Sequence, residues 1–175
     1  MSTTHQISIE DYLATAYRPD RDYVDGEVEE RNVGEKEHSI VQAFFVKWFA
    51  VFERDWRLEA FPEIRIRVTP NRVRIADVAV ERVGIPYEAV LEKPPIAVVE
   101  ILSPQDRVSR YQERLEDYRR MGIQQVWVID PMRRKAYDCS AIDWQPVDNF
   151  MIAGTPVRVE LAKLWQKLAE MHSPR

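Results

Sequence analysis

The sequence predicts an α/β fold in which helices flank a mixed central sheet, built from an antiparallel hairpin and a parallel βαβ unit. The βαβ unit is predicted from two short apolar runs, residues 96–102 and 126–129, which are rich in β-branched side chains and bounded by prolines. Between these runs, apolar or aromatic side chains recur at helical spacing, at Val108, Tyr111, Leu115 and Tyr118. Gly122 follows, where a helix C-terminus favours glycine. A strand, a helix and a strand in this order predict two parallel strands joined by a right-handed crossover.

The antiparallel hairpin is predicted from the alternation of apolar and polar residues over residues 63–68 and a second strand pattern over residues 73–80. The turn between them is Thr69-Pro70-Asn71. A second, tighter hairpin is predicted around Asp25-Gly26, a dipeptide that suits a two-residue turn. Further strands over residues 135–140 and near Val157 are expected to extend the sheet.

Three helices are predicted outside the βαβ unit. Ser8 with an acid three residues later is a typical helix start, so a short helix is expected over residues 9–16. A broad apolar stripe over residues 35–53 predicts a long helix packed on the sheet, with His38 in its first turn beside the buried face. The last helix is predicted from the spacing of Leu161, Leu164, Trp165 and Leu168.

Length and composition limit the class of protein. A chain of 175 residues suits one domain with a substantial core, which we expect to span residues 1–175. No apolar run approaches the roughly 20 residues that a membrane-spanning helix needs, and residues 1–12 lack a signal pattern, so a cytoplasmic location is expected. The single Cys139 can form no internal disulfide and is expected to fill space in the core or at an edge.

The charge distribution argues against binding of nucleic acid by bulk electrostatics. The net charge is -4 and the pI is near 5.5, so any phosphate contact must be local. Basic residues do cluster at three places, which are Arg65 with Arg67, Arg72 and Arg74, then Arg119-Arg120, and then Arg133-Arg134-Lys135. Such clusters are more often solvated faces of strands and turns than binding sites.

Two acidic residues fall in strands that are predicted to be buried. Glu100 lies inside the apolar run of residues 96–102, and Asp77 lies on the same alternating face as Ile75 and Ala79. An ionised carboxylate in apolar surroundings is unfavourable by several kcal/mol unless it is paired or protonated. Glu100 could face water at the strand end or pair with an arginine. If the two strands are neighbours, the acids could instead share a proton or hold a divalent cation.

The acids belong to a series of short segments with a recognisable order. The segments are residues 23–27 (YVDGE), His38, residues 76–78 (ADV), residues 99–104 (VEILSP), residues 113–118 (ERLEDY), residues 121–123 (MGI) and residues 126–131 (VWVIDP). Together they resemble the Uma family of restriction endonucleases, within the PD-(D/E)XK nuclease superfamily. The resemblance runs from about Tyr23 to Pro131 and is most specific over residues 99–131. It implies a restriction-endonuclease-like core.

The resemblance further implies a metal-dependent endonuclease that hydrolyses DNA phosphodiester bonds. Asp77 and Glu100 would hold Mg²⁺ or Mn²⁺, with the backbone carbonyl of Ile101 as a candidate third ligand. The ion would lower the pKa of a bound water and neutralise charge on the scissile phosphate. Glu27 and His38 match positions that the family places near this site, as a ligand or an orienting group. Glu27 also suits an ordinary exposed strand residue, and His38 an ordinary packing residue.

Two positions depart from the pattern of the superfamily. The lysine expected two residues after the glutamate is Leu102, and the Uma family looks like one in which this lysine has moved to the following helix, where this sequence has Arg114. Arg114 lies roughly 80° from the centre of the apolar stripe, so its guanidinium could reach the strand ends. Arginine can clamp a phosphate but stays protonated, so it cannot act as a general base. Arg114 could equally pair on the surface, with Glu113, Glu116 or Asp117.

These departures leave a second hypothesis from a different class. Leu102, Arg114 and the acidic net charge also suit a catalytically degenerate nuclease-fold domain that acts as a binding or assembly module. Homodimer formation through exposed aromatic residues such as Trp144 or Trp165 is compatible with either hypothesis. Two observations would overturn the nuclease hypothesis: carboxylate oxygens of Asp77 and Glu100 that lie far apart, or carboxylates that are each already engaged by a guanidinium of their own.

Overall fold

A computed structural model describes residues 6–31, 35–84, 86–104 and 108–172, with only the backbone at Val108 and His172. The expectations that concern residues 1–5 and the side chain of Val108 lie outside this description. In chain order the elements are α1 Ile9–Ala14, β1 Asp22–Val24, β2 Glu27–Glu29, α2 Lys36–Ala50, α3 Glu53–Trp56, β3 Leu58–Thr69, β4 Arg72–Arg82, β5 Ala97–Ile101, α4 Val108–Met121, β6 Gln125–Asp130, β7 Lys135–Asp138, β8 Gln145–Pro146, β9 Asn149–Met151, β10 Arg158–Glu160 and α5 Leu161–His172.

Eight strands form one mixed sheet. Its order is β2-β1-β4-β5-β6-β7-β8, and β3 pairs with β4 on the other side. β5 and β6 are parallel, from Ala97 opposite Gln125 to Ile101 opposite Ile129, and α4 connects them. The other neighbouring strands of this sheet, in the described part of the chain, are antiparallel. The predicted mixed sheet of a hairpin and a βαβ unit is therefore confirmed.

One edge of β4 changes partner along its length. β1 pairs with β4 at Arg72 and Val73, whereas β5 pairs with β4 from Val78 to Val80. Residues 74–77 lie between these two pairings. This interval matters because it contains Asp77 and because the ends of β1 and β5 meet there.

Helices cover both faces of the sheet, as predicted. α2 and α5 contribute to one buried cluster, in which Phe45 and Leu164 lie with Trp127 of β6. α4 contributes Leu115 and Tyr118 to a second cluster. Because the apolar stripe of α4 faces the sheet, side chains on the shoulder of that stripe come close to the strand ends. Among the described helices, none combines the length and apolar character needed to cross a membrane.

Three local predictions are confirmed in detail. Asp25 and Gly26 both have positive φ, 50° and 98°, as a tight turn between β1 and β2 requires. Gly122 ends α4 with φ 94°. The side chain of Ser8 accepts a hydrogen bond from the Asp11 N–H at 3.0 Å, so it caps α1.

Other predictions are corrected by the structure. The strand near Val157, β10, pairs with β9 in a separate two-stranded sheet, so it does not extend the main sheet. The long helix ends at Ala50 instead of continuing to residue 53. Trp144 and Trp165 are half-buried against the two clusters and are not exposed aromatics. Cys139 is buried, as expected, and burial raises the pKa of its thiol to about 12.

Candidate active site

Asp77 and Glu100 lie on neighbouring antiparallel strands. The last pair of the ladder is Val78 opposite Val99, and each acid is one residue beyond that pair. Their side chains are buried, with exposed fractions of 3% for Asp77 and 0% for Glu100. The sheet therefore brings the two predicted acids together where β4 changes partner.

Three donors hold the carboxylate of Asp77. The backbone N–H of Ile101 donates to Oδ2 at 2.8 Å, while Nε2 of His38 lies 3.2 Å from Oδ1 and the guanidinium of Arg31 also contacts Oδ1. Burial alone would raise the pKa of Asp77, but the hydrogen bond from His38 and the charge of Arg31 outweigh it and lower the pKa to about 2. Asp77 is therefore an ionised group at neutral pH.

His38 owes its position to the start of α2, where it lies in the first turn. Burial disfavours its charged form, but the hydrogen bond to Asp77 and the charge of that carboxylate have the larger combined effect and raise the pKa of His38. The contact suits a group that orients Asp77. It brings one of the second-rank candidates of the sequence to the acid pair.

Two side chains from α4 hold the carboxylate of Glu100. The hydroxyl of Tyr118 donates to Oε1 at 2.6 Å, and Nη1 of Arg114 donates to Oε2 at 2.9 Å. Burial raises the pKa of Glu100, Arg114 offsets part of that rise, and the nearby charge of Asp77 adds to it, which gives a pKa of about 7. Two neighbouring acids with pKa values pushed in opposite directions are typical of a functional site.

Arg114 also reaches a third acid, Asp22 of β1. Its Nη2 donates to Oδ2 of Asp22 at 2.8 Å, and Arg74 lies 3.2 Å from the same oxygen. Arg114 thus extends past the edge of its helix to the strand ends, as its angle on the helix allows. It does not take the alternative role of a surface residue paired with the neighbouring acids of α4.

Two of the buried acids satisfy backbone donors at the interval where β4 changes partner. Oδ1 of Asp22 accepts from the Ile75 N–H at 3.0 Å, and Oδ2 of Asp77 accepts from the Ile101 N–H at 2.8 Å. Buried N–H groups that lack a strand partner need such acceptors. Both acids therefore have a structural role in joining β1, β4 and β5, whatever chemistry they support.

The oxygens of Asp77 and Glu100 are of the kind that Mg²⁺ prefers, but all four already contact protein donors. Within the described ranges, no group of three or more His, Cys, Asp or Glu side chains is positioned to hold a metal ion. One of the conditions that count against a metal-held pair is also met, since Arg31 and Arg114 each contact one carboxylate. As arranged, these residues do not fit a divalent cation, and the burial of the acids does not require one.

Glu27 and Ile101 are the other two residues that were predicted as metal ligands. Glu27 is exposed and lies opposite Val24, which pairs with Arg72, five residues from Asp77 along β4. At about 3.4 Å per residue in a strand, the register keeps Glu27 far from the acid pair. The acid of β2 that reaches the buried network is Glu29, 3.5 Å from Arg74. The backbone of Ile101 lies at the site, where its N–H contacts Asp77.

Three residues of the site were not singled out from the sequence as site residues. Tyr118 was assigned only to the buried stripe of α4, although a buried tyrosine hydroxyl usually requires a partner. Asp22 and Arg31 flank the predicted hairpin, and no local pattern distinguishes them from surface residues. The signal that was available is Arg74, a charged residue between Val73 and Ile75 in a predicted strand, which implies buried acidic partners.

A cleft of about 800 Å³ opens at the carboxyl ends of β5 and β6. This edge of a parallel pair is where α/β proteins commonly bind ligands. The residues that line the cleft are Leu102, Ser103, Pro104, Tyr111, Gln112, Asp130, Met132, Arg133 and Trp144. A smaller pocket, lined by His38, Glu35 and Glu37, shares Leu102, Ser103, Pro104 and Met132 with it. His38, which contacts Asp77, relates the smaller pocket to the acid pair.

The basic clusters of the sequence are largely engaged in ion pairs. Arg65 pairs with Asp20 and Arg67 with Glu92, while Arg72 and Arg74 both contact Asp117. In the other two clusters, Arg119 and Arg120 pair with Glu116, and Arg133 pairs with Asp130. Of these side chains, Arg133 is the most exposed, at 75%, and it lines the cleft.

Comparison with known proteins gives a family and a fold. Residues 9–151 match the model of the Uma2 family, which is described as "Putative restriction endonuclease". A crystal structure from Anabaena variabilis, described as a "putative nuclease belonging to DUF820", superimposes with a TM-score of 0.78 at 18% sequence identity, over 93% of this chain and 99% of that one. No curated protein sequence matches the chain. At this identity the superposition shows a shared nuclease-like fold, as the sequence predicted.

Proposed function

Because this chain belongs to the Uma2 family of restriction endonucleases, we propose that it is an endonuclease that hydrolyses DNA phosphodiester bonds at the acid pair. The observation that carries the proposal is the meeting of Asp77, Glu100 and Arg114 at one point of a nuclease-like fold. β4 of the hairpin supplies Asp77 and β5 of the βαβ unit supplies Glu100. The crossover helix α4 supplies the guanidinium of Arg114.

The contacts of Arg31 and Arg114 with the acids meet one of the two conditions stated against a nuclease with a metal-held acid pair, but the family match supports a nuclease independently of these contacts. Two buried carboxylates need compensating charge whenever no other cation is present, because an uncompensated buried charge is strongly destabilising. Arg114 occupies the position where the resemblance to the family leads us to expect a basic residue of the site. Arg31 is the partner that the sequence did not predict, and its guanidinium donates to Oδ1 of Asp77.

Each residue has a role that its chemistry permits. Arg114 neutralises charge on a phosphate next to Glu100, and it cannot take a proton. His38 holds Asp77 in place, and Tyr118 holds Glu100. The divalent cation that the family implies, Mg²⁺ or Mn²⁺, would supply an activated water if it bound Asp77 and Glu100, whose four carboxylate oxygens all have protein donors in the present arrangement. Its entry requires that Arg31 move away from Asp77.

We propose that DNA reaches the site through the neighbouring cleft. Arg133 offers an exposed guanidinium for a phosphate, Gln112 offers an amide, and Trp144 offers an aromatic ring. Base stacking on aromatic side chains and a few local phosphate contacts suit a protein whose net charge is -4. Binding is therefore expected to be weaker and less salt-dependent than that of a basic nuclease.

The first prediction is loss of DNA cleavage when either acid is neutralised. Supercoiled plasmid and a labelled oligonucleotide are incubated with the protein and Mg²⁺ or Mn²⁺. Asp77→Asn and Glu100→Gln are expected to reduce the cleavage rate by at least about a hundredfold, because each removes a charged group from the reacting site. Asp20→Asn is a matched control, since Asp20 pairs with Arg65 away from the site. Equal rates for wild type, Asp77→Asn and Glu100→Gln would refute the proposal.

Two observations favour a second candidate function. Leu102 stands where the superfamily has a lysine, and all four carboxylate oxygens of Asp77 and Glu100 already have protein donors. In this alternative the chain is a catalytically degenerate nuclease-fold module that binds DNA or assembles with a second copy of itself. It predicts DNA binding, measured by fluorescence anisotropy, without cleavage in any divalent cation. Sedimentation velocity tests the homodimer. Cleavage that depends on Glu100 would exclude this alternative.

A further inference from the structure

We propose that the guanidinium of Arg31 occupies the place on Asp77 from which a divalent cation would bind, so that Arg31 sets the metal affinity of this site. The inference rests on the proposed nuclease function for its biological meaning, but it is tested by metal binding alone. Arg31 would then act as a built-in competitor of the cation.

The two oxygens of Asp77 are not equally available to a cation. Oδ2 accepts the hydrogen bond from the Ile101 N–H at 2.8 Å, which helps to join the end of β5 to β4. Oδ1 contacts side chains, those of Arg31 and His38. A cation that binds Asp77 without disturbing the sheet must therefore bind Oδ1. It meets Arg31 there.

Arg31 is the arginine of the pair that can leave. It follows β2, outside any helix or strand, and its Nη1 already lies 3.4 Å from Glu63, whose side chain is 47% exposed. Glu63 gives the guanidinium an acidic partner nearer to the solvent. Arg114, in contrast, is fixed by α4 and by two buried carboxylates, at 2.9 Å and 2.8 Å. Displacement of Arg31 requires no change in a helix or in the sheet.

The charge at Asp77 explains why Arg31 and a cation compete with each other. Arg31 is the guanidinium that contacts Asp77, whereas Arg114 contacts Glu100. Without Arg31 the carboxylate of Asp77 has no guanidinium partner and keeps His38 beside Oδ1, so that oxygen becomes more available to a hard cation.

The test is a titration of Mn²⁺ into the full chain, followed by isothermal calorimetry and by the loss of the free-ion electron paramagnetic resonance signal. Wild type is compared with Arg31→Gln, which keeps a hydrogen-bond donor, and with Arg31→Met, which keeps only the aliphatic stem. If Arg31 stays on Asp77 in about nine molecules of ten, the site loses about tenfold in apparent affinity. The second prediction is therefore that both variants bind Mn²⁺ at least about tenfold more tightly than wild type.

Two controls make the result specific. Arg65→Met removes an arginine of similar exposure, 14% against 11% for Arg31, from its pair with Asp20, and it is expected to leave Mn²⁺ binding unchanged. The double variant Arg31→Gln/Asp77→Asn is expected to lose the gain. Circular dichroism identifies any variant that fails to fold, and the other Arg31 variant then gives the result. Equal Mn²⁺ affinities in wild type and in a folded Arg31 variant would overturn the inference.

Cleavage of DNA in the same samples separates this inference from the proposed function. Tighter Mn²⁺ binding by Arg31→Gln without cleavage by any sample would support the competitor role and refute the nuclease. Cleavage by wild type with unchanged Mn²⁺ affinity in the Arg31 variants would support the nuclease and overturn the competitor role. Tighter binding together with faster cleavage at low Mn²⁺ supports both.

Discussion

Two neighbouring carboxylates, Asp77 and Glu100, differ in protonation because their partners differ. Asp77 accepts from a backbone N–H, from His38 and from Arg31, and its pKa is about 2. Glu100 is fully buried beside the charge of Asp77, and its pKa is about 7 despite Arg114. At neutral pH the charge of the pair therefore changes on Glu100 and not on Asp77. A ligand that favours two ionised carboxylates would release a proton from Glu100 on binding.

The third prediction concerns the titration of His38, followed by the chemical shift of its C2 proton in NMR spectra. In wild type we expect a pKa above 6.5, because the contact with Asp77 outweighs burial. The stabilisation from charged His38 is thus complete below pH 6.5 and is lost as the pH rises through the folded-state pKa. Asp77→Asn should lower the pKa, since only burial then acts strongly. Asp20→Asn is the control, and a wild-type pKa below 6.5 would contradict the assignment.

Among the elements, α4 connects the sheet to the site, and its length is set by Gly122. This residue has φ 94°, its N–H donates to the Arg119 carbonyl at 3.0 Å, and an added Cβ would meet no atom within 4 Å. A substitution here therefore tests the backbone conformation alone, without a steric clash. The position of Arg114 and Tyr118 depends on this helix ending where it does.

The fourth prediction is that Gly122→Ala destabilises the fold by about 1 kcal/mol, the strain of a left-handed conformation for a residue with a Cβ. Gly122→Asn is expected to be less harmful, because asparagine tolerates this conformation. Urea unfolding followed by tryptophan fluorescence measures both variants against wild type. An alanine variant as stable as wild type would mean that the end of α4 relaxes, and the inferred strain would then be absent.

The elements that the sequence predicted correctly are those with local causes. Asp25-Gly26 and Gly122 adopt backbone conformations that few other residues accept, and the βαβ unit has its own apolar periodicity. The errors have tertiary causes. The first strand of the hairpin was predicted over residues 63–68, yet β3 begins at Leu58 and has Pro62 inside it, opposite Val78. A proline is tolerated there because β3 pairs with β4 along one side only and is an edge strand. The pairing of β10 with β9 likewise depends on which strand lies nearby.

For the molecule as a whole, the ion network joins parts that are distant in sequence. Arg114 and Asp22 are 92 residues apart, and Arg31 and Asp77 are 46 apart. Asp77 and Glu100 could be predicted as a pair because both interrupt apolar strand patterns. Arg31 and Asp22 could not be predicted as members of the network, because an arginine in a loop and an aspartate in a short strand look like surface residues until the fold brings them together. For the same reason the sequence did not predict the contact of Arg31 with Asp77.

The fifth prediction is that the two acids change the free energy of unfolding with pH in opposite directions, because folding lowers the pKa of Asp77 and raises that of Glu100. The pKa of Asp77 falls from 3.8 to about 2, so its stabilisation is present above pH 3.8 and is lost as the pH falls through 2. This contribution of Asp77 to the free energy of unfolding is about 2 kcal/mol. The pKa of Glu100 rises from 4.5 to about 7, so its contribution is most favourable below pH 4.5 and declines up to pH 7.

Urea unfolding measured from pH 2 to pH 8 separates the contributions of the two acids, because one variant removes each of them. Glu100→Gln is expected to flatten the decline between pH 4.5 and 7, and Asp77→Asn the decline below pH 3.8. His38 acts mainly above pH 6.5, so the interval from 4.5 to 6 reports on Glu100 with little overlap. If the curves of wild type and Glu100→Gln ran parallel over that interval, the pKa of Glu100 in the folded protein would not be raised. Its pair with Arg114 would then offset burial, and at neutral pH the site would hold two ionised carboxylates that Arg31, Arg114 and His38 must balance.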